Sequence, residues 1–428
     1  MSDDEPQKFA TIAVHGGARV DPHSKARITP IYQTASYCFD DVDHAAALFN
    51  LEQFGNIYTR IMNPTQNVLE ERMAALEGGT AALATASGHG AQLLVLHCLM
   101  SAGDEFIAAK QLYGGSLNQF AHSFKKFGWT ARFADIDDPS SFAALVTEKT
   151  RAIFVESIAN PGGVVTDLEA LSKIANDAQI PLIVDNTLAT PYLCQPKNFG
   201  ADVIVHSMTK FLGGHGNSLG GILIDCGSFD WMGTDKFPTL SRPCESYHGL
   251  VLAEAFGSMA LALAARVLSL RDLGPCISPF NAFLIATGLE TLPLRMQKHT
   301  ENAMEIARYL SAHDKVSWVS YAGLSDSPYH TLAKRICTHG AGAVFTFGLK
   351  GGYEAGVQLV NSVKLFSHLA NVGDTRSLII HPASTTHRQL SADDRAAAGA
   401  GDDVVRVSVG IEDVQDILYD LEVALSKL

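Results

Sequence analysis

Between residues 151 and 207, three short apolar runs, RAIFVES, PLIVDNT and DVIVHS, each close on polar residues, and the amphipathic pattern LEALSKIANDAQ separates the first two. Runs this apolar have no solvent-facing side, and strands that alternate with helices pair in parallel beneath helices on both faces. No other feature constrains the fold as tightly, and the class it implies is α/β. The alternation begins upstream. NVLEERMAALEGG reads as an amphipathic helix stopped at Gly78 and Gly79, HGAQLLVLHCLM as a buried helix and DEFIAAK as a strand. After a helical crossover near Ala253 to Leu273 the pattern changes. AGAVFTFGL, SLIIHP and VVRVSVG read as strands set among helices, a smaller α+β unit. The first sixty or so residues, broken by Pro22, Pro30 and Pro64, read as an arm. The expected organisation is therefore an N-terminal arm over 1–63, an α/β domain over 64–272 and an α+β domain over 273–428. Ala392 to Asp403, rich in Ala, Gly and Asp, reads as a mobile loop.

Composition narrows the partners. A chain of 428 residues can bury a sizeable core. Its net charge of −13 argues against a nucleic-acid footprint or an anionic membrane surface. The start, MSDDEPQKFA, lacks the basic and apolar regions of a signal peptide, and the apolar stretch Ala82 to Met100 is interrupted by His and Gly. The seven cysteines are scattered, form no CxxC pair and read as free thiols of a reducing cytoplasm. The sixteen histidines show no spacing such as HExxH, so no metal site is expected.

Ligands of open α/β sheets sit beyond the carboxyl ends of the strands. Those ends carry Glu156 and Asn160, then Asp185 and Asn186, then Ser207, Thr209 and Lys210. Asp185 follows LIV directly, and a buried carboxylate needs a cationic or hydrogen-bonding partner. It either caps a nearby helix or opposes the charge of a bound cation. Lys210 stands at the mouth of DVIVHS, with glycines beyond it and no acid near it in sequence. Desolvation there favours the neutral amine, which is the nucleophilic form. Ser87, Gly88 and His89 lie where a turn feeds a helix; an ordinary turn with an N-cap has this pattern, and so has a phosphate seat. The segment is not a dinucleotide fingerprint, for it lacks the third glycine, and Lys210 is not a Walker lysine. A phosphate seat, a buried acid and a strand-end lysine have one economical common explanation, pyridoxal 5′-phosphate. That cofactor takes a lysine for a Schiff base, an acid to keep its pyridinium nitrogen protonated and an anion site for its phosphate. Tyr113, in QLYGGSLNQF, would then stack on the ring; without that context it reads as a half-buried structural tyrosine.

The motifs IYTRIMNPT, SGHGAQ, LYGGS, ESIANPGG, VDNTLATPYL, HSMTKFLGGHG, HPASTTH and VRVSVGIED run from near the start of the chain to its C-terminal region. Together they resemble the Cys/Met-metabolism family of pyridoxal-phosphate enzymes, which has fold type I, and the resemblance extends from about Thr11 to the C-terminus. It implies a mostly parallel central sheet with helices on both faces and a smaller C-terminal domain. It assigns Lys210 to the Schiff base, Asp185 to the pyridinium, Tyr113 to ring stacking and Asn160 to the cofactor's phenolic oxygen. Ser87, Gly88, His89, Ser207 and Thr209 would surround the phosphate. Tyr58 and Arg60 would reach the phosphate of a neighbouring chain, which makes a homodimer the minimal active unit and a homotetramer its expected assembly. Arg406 would bind the substrate α-carboxylate, and Asn371, with Tyr58, would line the substrate end. Strand alternation places Arg406 and Ser408 on one face of VVRVSVG and Val405, Val407 and Val409 on the other. An exposed arginine on an edge strand would show the same alternation.

Members of this family differ in reaction. The insertion KFPTLSRPCESYHGL and the segment LANVGDTRSLIIHPASTTH resemble the branch that replaces the γ-acetoxy group of O-acetyl-L-homoserine with sulfide, giving L-homocysteine and acetate in methionine biosynthesis. Methionine γ-lyases usually carry a cysteine soon after the stacking tyrosine, whereas Tyr113 is followed by Gly114, Gly115 and Ser116. The alternatives within the family are γ-elimination of the methionine γ-lyase type and γ-replacement of the cystathionine γ-synthase type.

Overall fold

Residues 7–160, 163–389, 391, 395 and 399–428 are described by the structure, a computed structural model. The first sheet collects β1 (Ala81–Thr85), β2 (Glu105–Ala109), β3 (Thr130–Ala134), β4 (Thr150–Glu156), β5 (Leu182–Asp185), β6 (Val203–Ser207) and β7 (Gly221–Asp225) in the spatial order β1-β7-β6-β5-β4-β2-β3. The neighbours from β6 to β3 pair in parallel, while β7 runs antiparallel to both β6 and β1. The three runs that set the α/β expectation are β4, β5 and β6, side by side and buried on both faces. β1, β3 and β7 stand outside the strands expected from the sequence. β1 is AALAT, and alanine is a weak strand former; β3 is a half-exposed edge with no continuous apolar run.

The helices follow from local chemistry. Helix α1 covers Phe9–His15 and α2 covers Val42–Phe49. Helix α3 (Pro64–Glu77) starts where the Asn63 side chain accepts from Thr65 N and Pro64 supplies the first helical position, and Gly78 follows its last residue. Helix α4 (Gly88–Leu99) is capped by Ser87, whose Oγ accepts from Gly90 N at 3.1 Å.

The first helix of the N-terminal segment packs on the rest of the chain. Ala13 of α1 is fully buried, the Phe9 ring packs edge-on against Tyr192 at 5.6 Å, and Arg72 Nε donates to Gly16 O. Beyond α1, Leu48 of α2 is buried, while Ile28, Phe39, Val42, Phe49, Phe54 and Tyr58 are exposed.

A second sheet has the order β10-β11-β12-β9-β8, built from β8 (Val316–Ser320), β9 (Val344–Leu349), β10 (Ser367–His368), β11 (Leu378–Ile380) and β12 (Val404–Ser408). The crossover that precedes it, Leu252–Leu273, is long and apolar enough to cross a membrane. It is broken into short helical pieces, however, and buries Arg266 in an ion pair with Glu70 at 2.5 Å. That is the character of a core helix. The expected mobile loop from Ala392 to Asp403 lies largely outside the described residues.

Candidate active site

The carboxyl ends of β4, β5 and β6 open into a cavity of about 230 Å³, and loops of the second sheet close its other side. Ser87, Gly88, His89, Tyr113, Asn160, Asp185, Ser207, Thr209, Lys210, Asn371 and Arg406, the candidates drawn from across the sequence, all line it. Tyr58 and Arg60 do not. Both are exposed on this chain, with the Arg60 guanidinium 5.4 Å from the centroid of the Tyr58 ring.

Lys210 is largely withdrawn from water. Burial, helped by the Arg406 charge, lowers its ammonium from 10.5 to about 8, so the neutral amine is accessible near neutral pH. Its Nζ donates to Asn371 Oδ1. Gly373 lets the loop that carries Asn371 come so close. It sits at φ +75°, and a Cβ there would stand 2.5 Å from Phe211 N and 3.1 Å from Lys210 Cα.

Asp185 ends β5, 9% exposed. Its Oδ1 accepts from Thr187 N at 3.0 Å and its Oδ2 from Gln92 Nε2 at 3.4 Å. Burial raises its proton affinity, against the pull of the Thr187 hydrogen bonds, His206 and Gln92. Its carboxylate caps no helix and faces the cavity. Gln92 and Thr187 are not among the residues the sequence singles out. Thr187 carried a usable signal, since an Asp followed two positions later by a residue with a free N–H is a common turn pattern.

At the other end of the cavity, Gly88 opens α4 against β6. A Cβ on Gly88 would lie 3.0 Å from Ser207 Cβ and 3.1 Å from Ser207 Cα, so only glycine fits without displacement. The first N–H groups of a helix have no intrahelical partner and point at whatever anion sits there. The His89 ring stacks on Tyr113, with centroids 5.9 Å apart and planes 25° from parallel. His89 Nε2 is buried without a hydrogen-bond partner, and burial lowers the ring's proton affinity. The Tyr113 ring is half exposed, open to the cavity.

Arg406 lies on β12, which pairs with β11 on one side and β9 on the other. It is thus not an edge-strand residue, and Val405, Val407 and Val409 fill the opposite face, fully buried. Its Nη1 donates to Asn160 Oδ1 at 3.1 Å and its Nη2 to Asn371 O at 3.4 Å. Burial lowers the guanidinium to about 10. Among the described residues no group of three or more His, Cys, Asp or Glu is placed to hold a metal ion.

These residues fit pyridoxal 5′-phosphate. A helix start cleared by Gly88, with the unpartnered His89 Nε2 beside it, suits its phosphate, an open Tyr113 face suits its ring, Asp185 suits a ring cation and Lys210 supplies the amine. Fold and site together define a pyridoxal-phosphate enzyme of fold type I. The family model described as Cys/Met metabolism PLP-dependent enzyme matches residues 10–426, and the chain belongs to that family. It is 50% identical to an O-acetyl-L-homoserine sulfhydrylase of Leptospira meyeri, over 99% of this chain and 98% of the relative. It is 49% identical to O-acetyl-L-homoserine sulfhydrylase 1 of Thermus thermophilus, over 98% of this chain and the whole of the relative. A crystal structure of a Campylobacter jejuni protein described as an O-acetylhomoserine (thiol)-lyase superposes with a TM-score of 0.94 at 39% identity, covering 98% of this chain and all of the other. That protein carries N′-pyridoxyl-lysine-5′-monophosphate.

Proposed function

We propose that this enzyme catalyses γ-replacement, converting O-acetyl-L-homoserine and sulfide to L-homocysteine and acetate, a step of methionine biosynthesis. The observation that carries the reading is near-half identity, end to end, with relatives named as O-acetyl-L-homoserine sulfhydrylases. The cavity supplies side chains suited to each task. The Arg406 fork takes the substrate α-carboxylate bidentately, exchanging its bonds to two neutral carbonyl oxygens, Asn160 Oδ1 and Asn371 O, for bonds to an anion. The Lys210 amine takes the proton from the substrate Cα, a second proton leaves Cβ, acetate departs from Cγ, sulfide adds there, and the protons return to Cβ and then Cα; Asn371 Oδ1 orients that amine between transfers. When bound, the cofactor supplies the electron sink that makes the Cα proton acidic. Asp185 holds its ring nitrogen protonated, Tyr113 covers one ring face, Asn160 meets the phenolic oxygen, and Ser87, Gly88, His89, Ser207 and Thr209 hold the phosphate.

The same reading covers assembly and location. Tyr58 and Arg60, outside their own chain's cavity, reach the phosphate of a neighbouring copy, and Tyr58 also borders its substrate end. The exposed apolar side chains from Ile28 to Phe54 support packing against that copy. A homodimer is then the minimal active unit and a homotetramer the full assembly. The arm, α/β and α+β divisions at 1–63, 64–272 and 273–428 accord with the separate strand sets of the two sheets. Seven free cysteines support a cytoplasmic location.

The test is a steady-state comparison of O-acetyl- and O-succinyl-homoserine, each with sulfide, methanethiol or cysteine. The acetyl ester with sulfide should give the highest kcat/KM. Release of a 2-oxoacid without a thiol at a comparable rate, or faster reaction of the succinyl ester with cysteine, would move the protein to another branch of the family.

A further inference from the structure

Glu156 and Asp185 are register partners on the adjacent parallel strands β4 and β5, so their side chains leave the same face of the sheet. Both line the cavity, at 5% and 9% exposure. Asp185 has a role in the reading above; Glu156 has none. Yet each oxygen of Glu156 is engaged: Oε1 accepts from Tyr113 N at 2.7 Å and Oε2 from Asn160 N at 2.9 Å. One carboxyl group thus ties the loop bearing the stacking ring to the loop bearing Asn160.

The hydrogen bonds accepted by Glu156 and Asp185 come from uncharged donors, the backbone N–H groups of Tyr113, Asn160 and Thr187 and the Gln92 amide. The titratable and charged groups facing the pair are His89 and Tyr113 beside it, His206 on the neighbouring strand, and Lys210 and Arg406 elsewhere in the cavity. Arg406 is occupied with Asn160 and Asn371, and Lys210 with Asn371. Two carboxylates in neighbouring buried positions repel strongly when both are ionised. Burial and the Asp185 charge accordingly push Glu156 up to about 8.

We infer that Glu156 is a positioning residue of the cofactor site: with the cofactor absent it shares one proton with Asp185, and the pair releases that proton to solvent when the cationic ring of the cofactor arrives. The inference rests on the assignment of Asp185 to the ring nitrogen. Its consequence is that loading ionises Glu156 and turns its two backbone hydrogen bonds into charge-assisted ones. The loops of Tyr113 and Asn160 are therefore held most firmly when there is a cofactor for them to hold.

The experiment counts protons released when pyridoxal 5′-phosphate is added to the full-length Lys210→Ala protein, in which the lysine amine no longer contributes. A weakly buffered solution with an indicator dye at about pH 7 is compared with one at about pH 10. At the lower pH, Lys210→Ala should release close to one proton per site more than Lys210→Ala/Glu156→Gln, and the difference should vanish at the higher pH. Equal counts at the lower pH overturn the inference. If the glutamine variant does not fold, a release from Lys210→Ala that stays constant between the two pH values overturns it as well. Lys210→Ala/Asp185→Asn separates the two levels of the claim. Unchanged cofactor affinity and absorbance in that variant contradict the Asp185 assignment itself. A changed spectrum there, with equal proton counts for the Glu156 pair of variants, contradicts the role of Glu156 alone.

Discussion

Arg406 Nη1 meets Asn160 Oδ1 at 3.1 Å across 246 positions of sequence, joining β12 of the second sheet to the loop that follows β4 of the first. The contact fixes the direction of the guanidinium fork before any substrate arrives, and fixed direction is what separates arginine from lysine at such a position. Replacing Arg406 with lysine keeps a positive charge but loses the two parallel donors. Arg406→Lys should raise KM for O-acetyl-L-homoserine about 10-fold or more, with a smaller fall in kcat. Steady-state kinetics at saturating sulfide measure the split, and a change confined to kcat would place Arg406 elsewhere in the mechanism.

Lys210 carries a sharper pH signature. Only the neutral amine attacks an aldehyde, and a group lowered from 10.5 to about 8 is mostly neutral above that value. The rate at which cofactor-free protein takes up pyridoxal 5′-phosphate covalently should rise with pH and level off just above 8. A rise continuing to about 10 would mean an ordinary exposed lysine. Borohydride reduction followed by peptide mapping should place the adduct on Lys210.

The placement of Tyr58 and Arg60 outside their own cavity makes a prediction about mixtures. Lys210→Ala and Arg60→Ala chains, each inactive alone, should recover part of the wild-type activity when mixed under conditions that exchange subunits. Hybrid dimers then contain one cavity with an intact Lys210 and an intact Arg60 from opposite chains. No recovery, with exchange shown independently by mass, would assign both residues to their own subunit.

The parts of this protein legible in the sequence are those with local causes. β4, β5 and β6 are short runs of apolar side chains with polar ends, and those ends locate the site because parallel strands all finish at the same edge. The lowered proton affinity of Lys210 follows from the same fact. Gln92 was hidden because its neighbours in sequence make it one more residue of a buried helix; its amide meets Asp185 only through the packing of α4 on the sheet. Glu156 was visible as a strand-end acid, but nothing in the sequence shows that Tyr113 and Asn160 both turn their backbone N–H groups toward it. The partial docking of the arm was missed for a similar reason: α1 is too short to declare itself, and its burial depends on contacts with α3 and Tyr192.

One substitution tests the proposed pairing of Asp185 with a cationic ring. Asp185→Asn keeps the shape of the side chain and removes its charge, while leaving the Arg406 fork untouched. With cofactor occupancy verified by absorbance, kcat for homocysteine formation should fall at least ~100-fold, about 2.7 kcal/mol of transition-state stabilisation, with a much smaller change in KM. A fully loaded Asp185→Asn enzyme with near-normal kcat would contradict the account, because the acid would then serve only the fold.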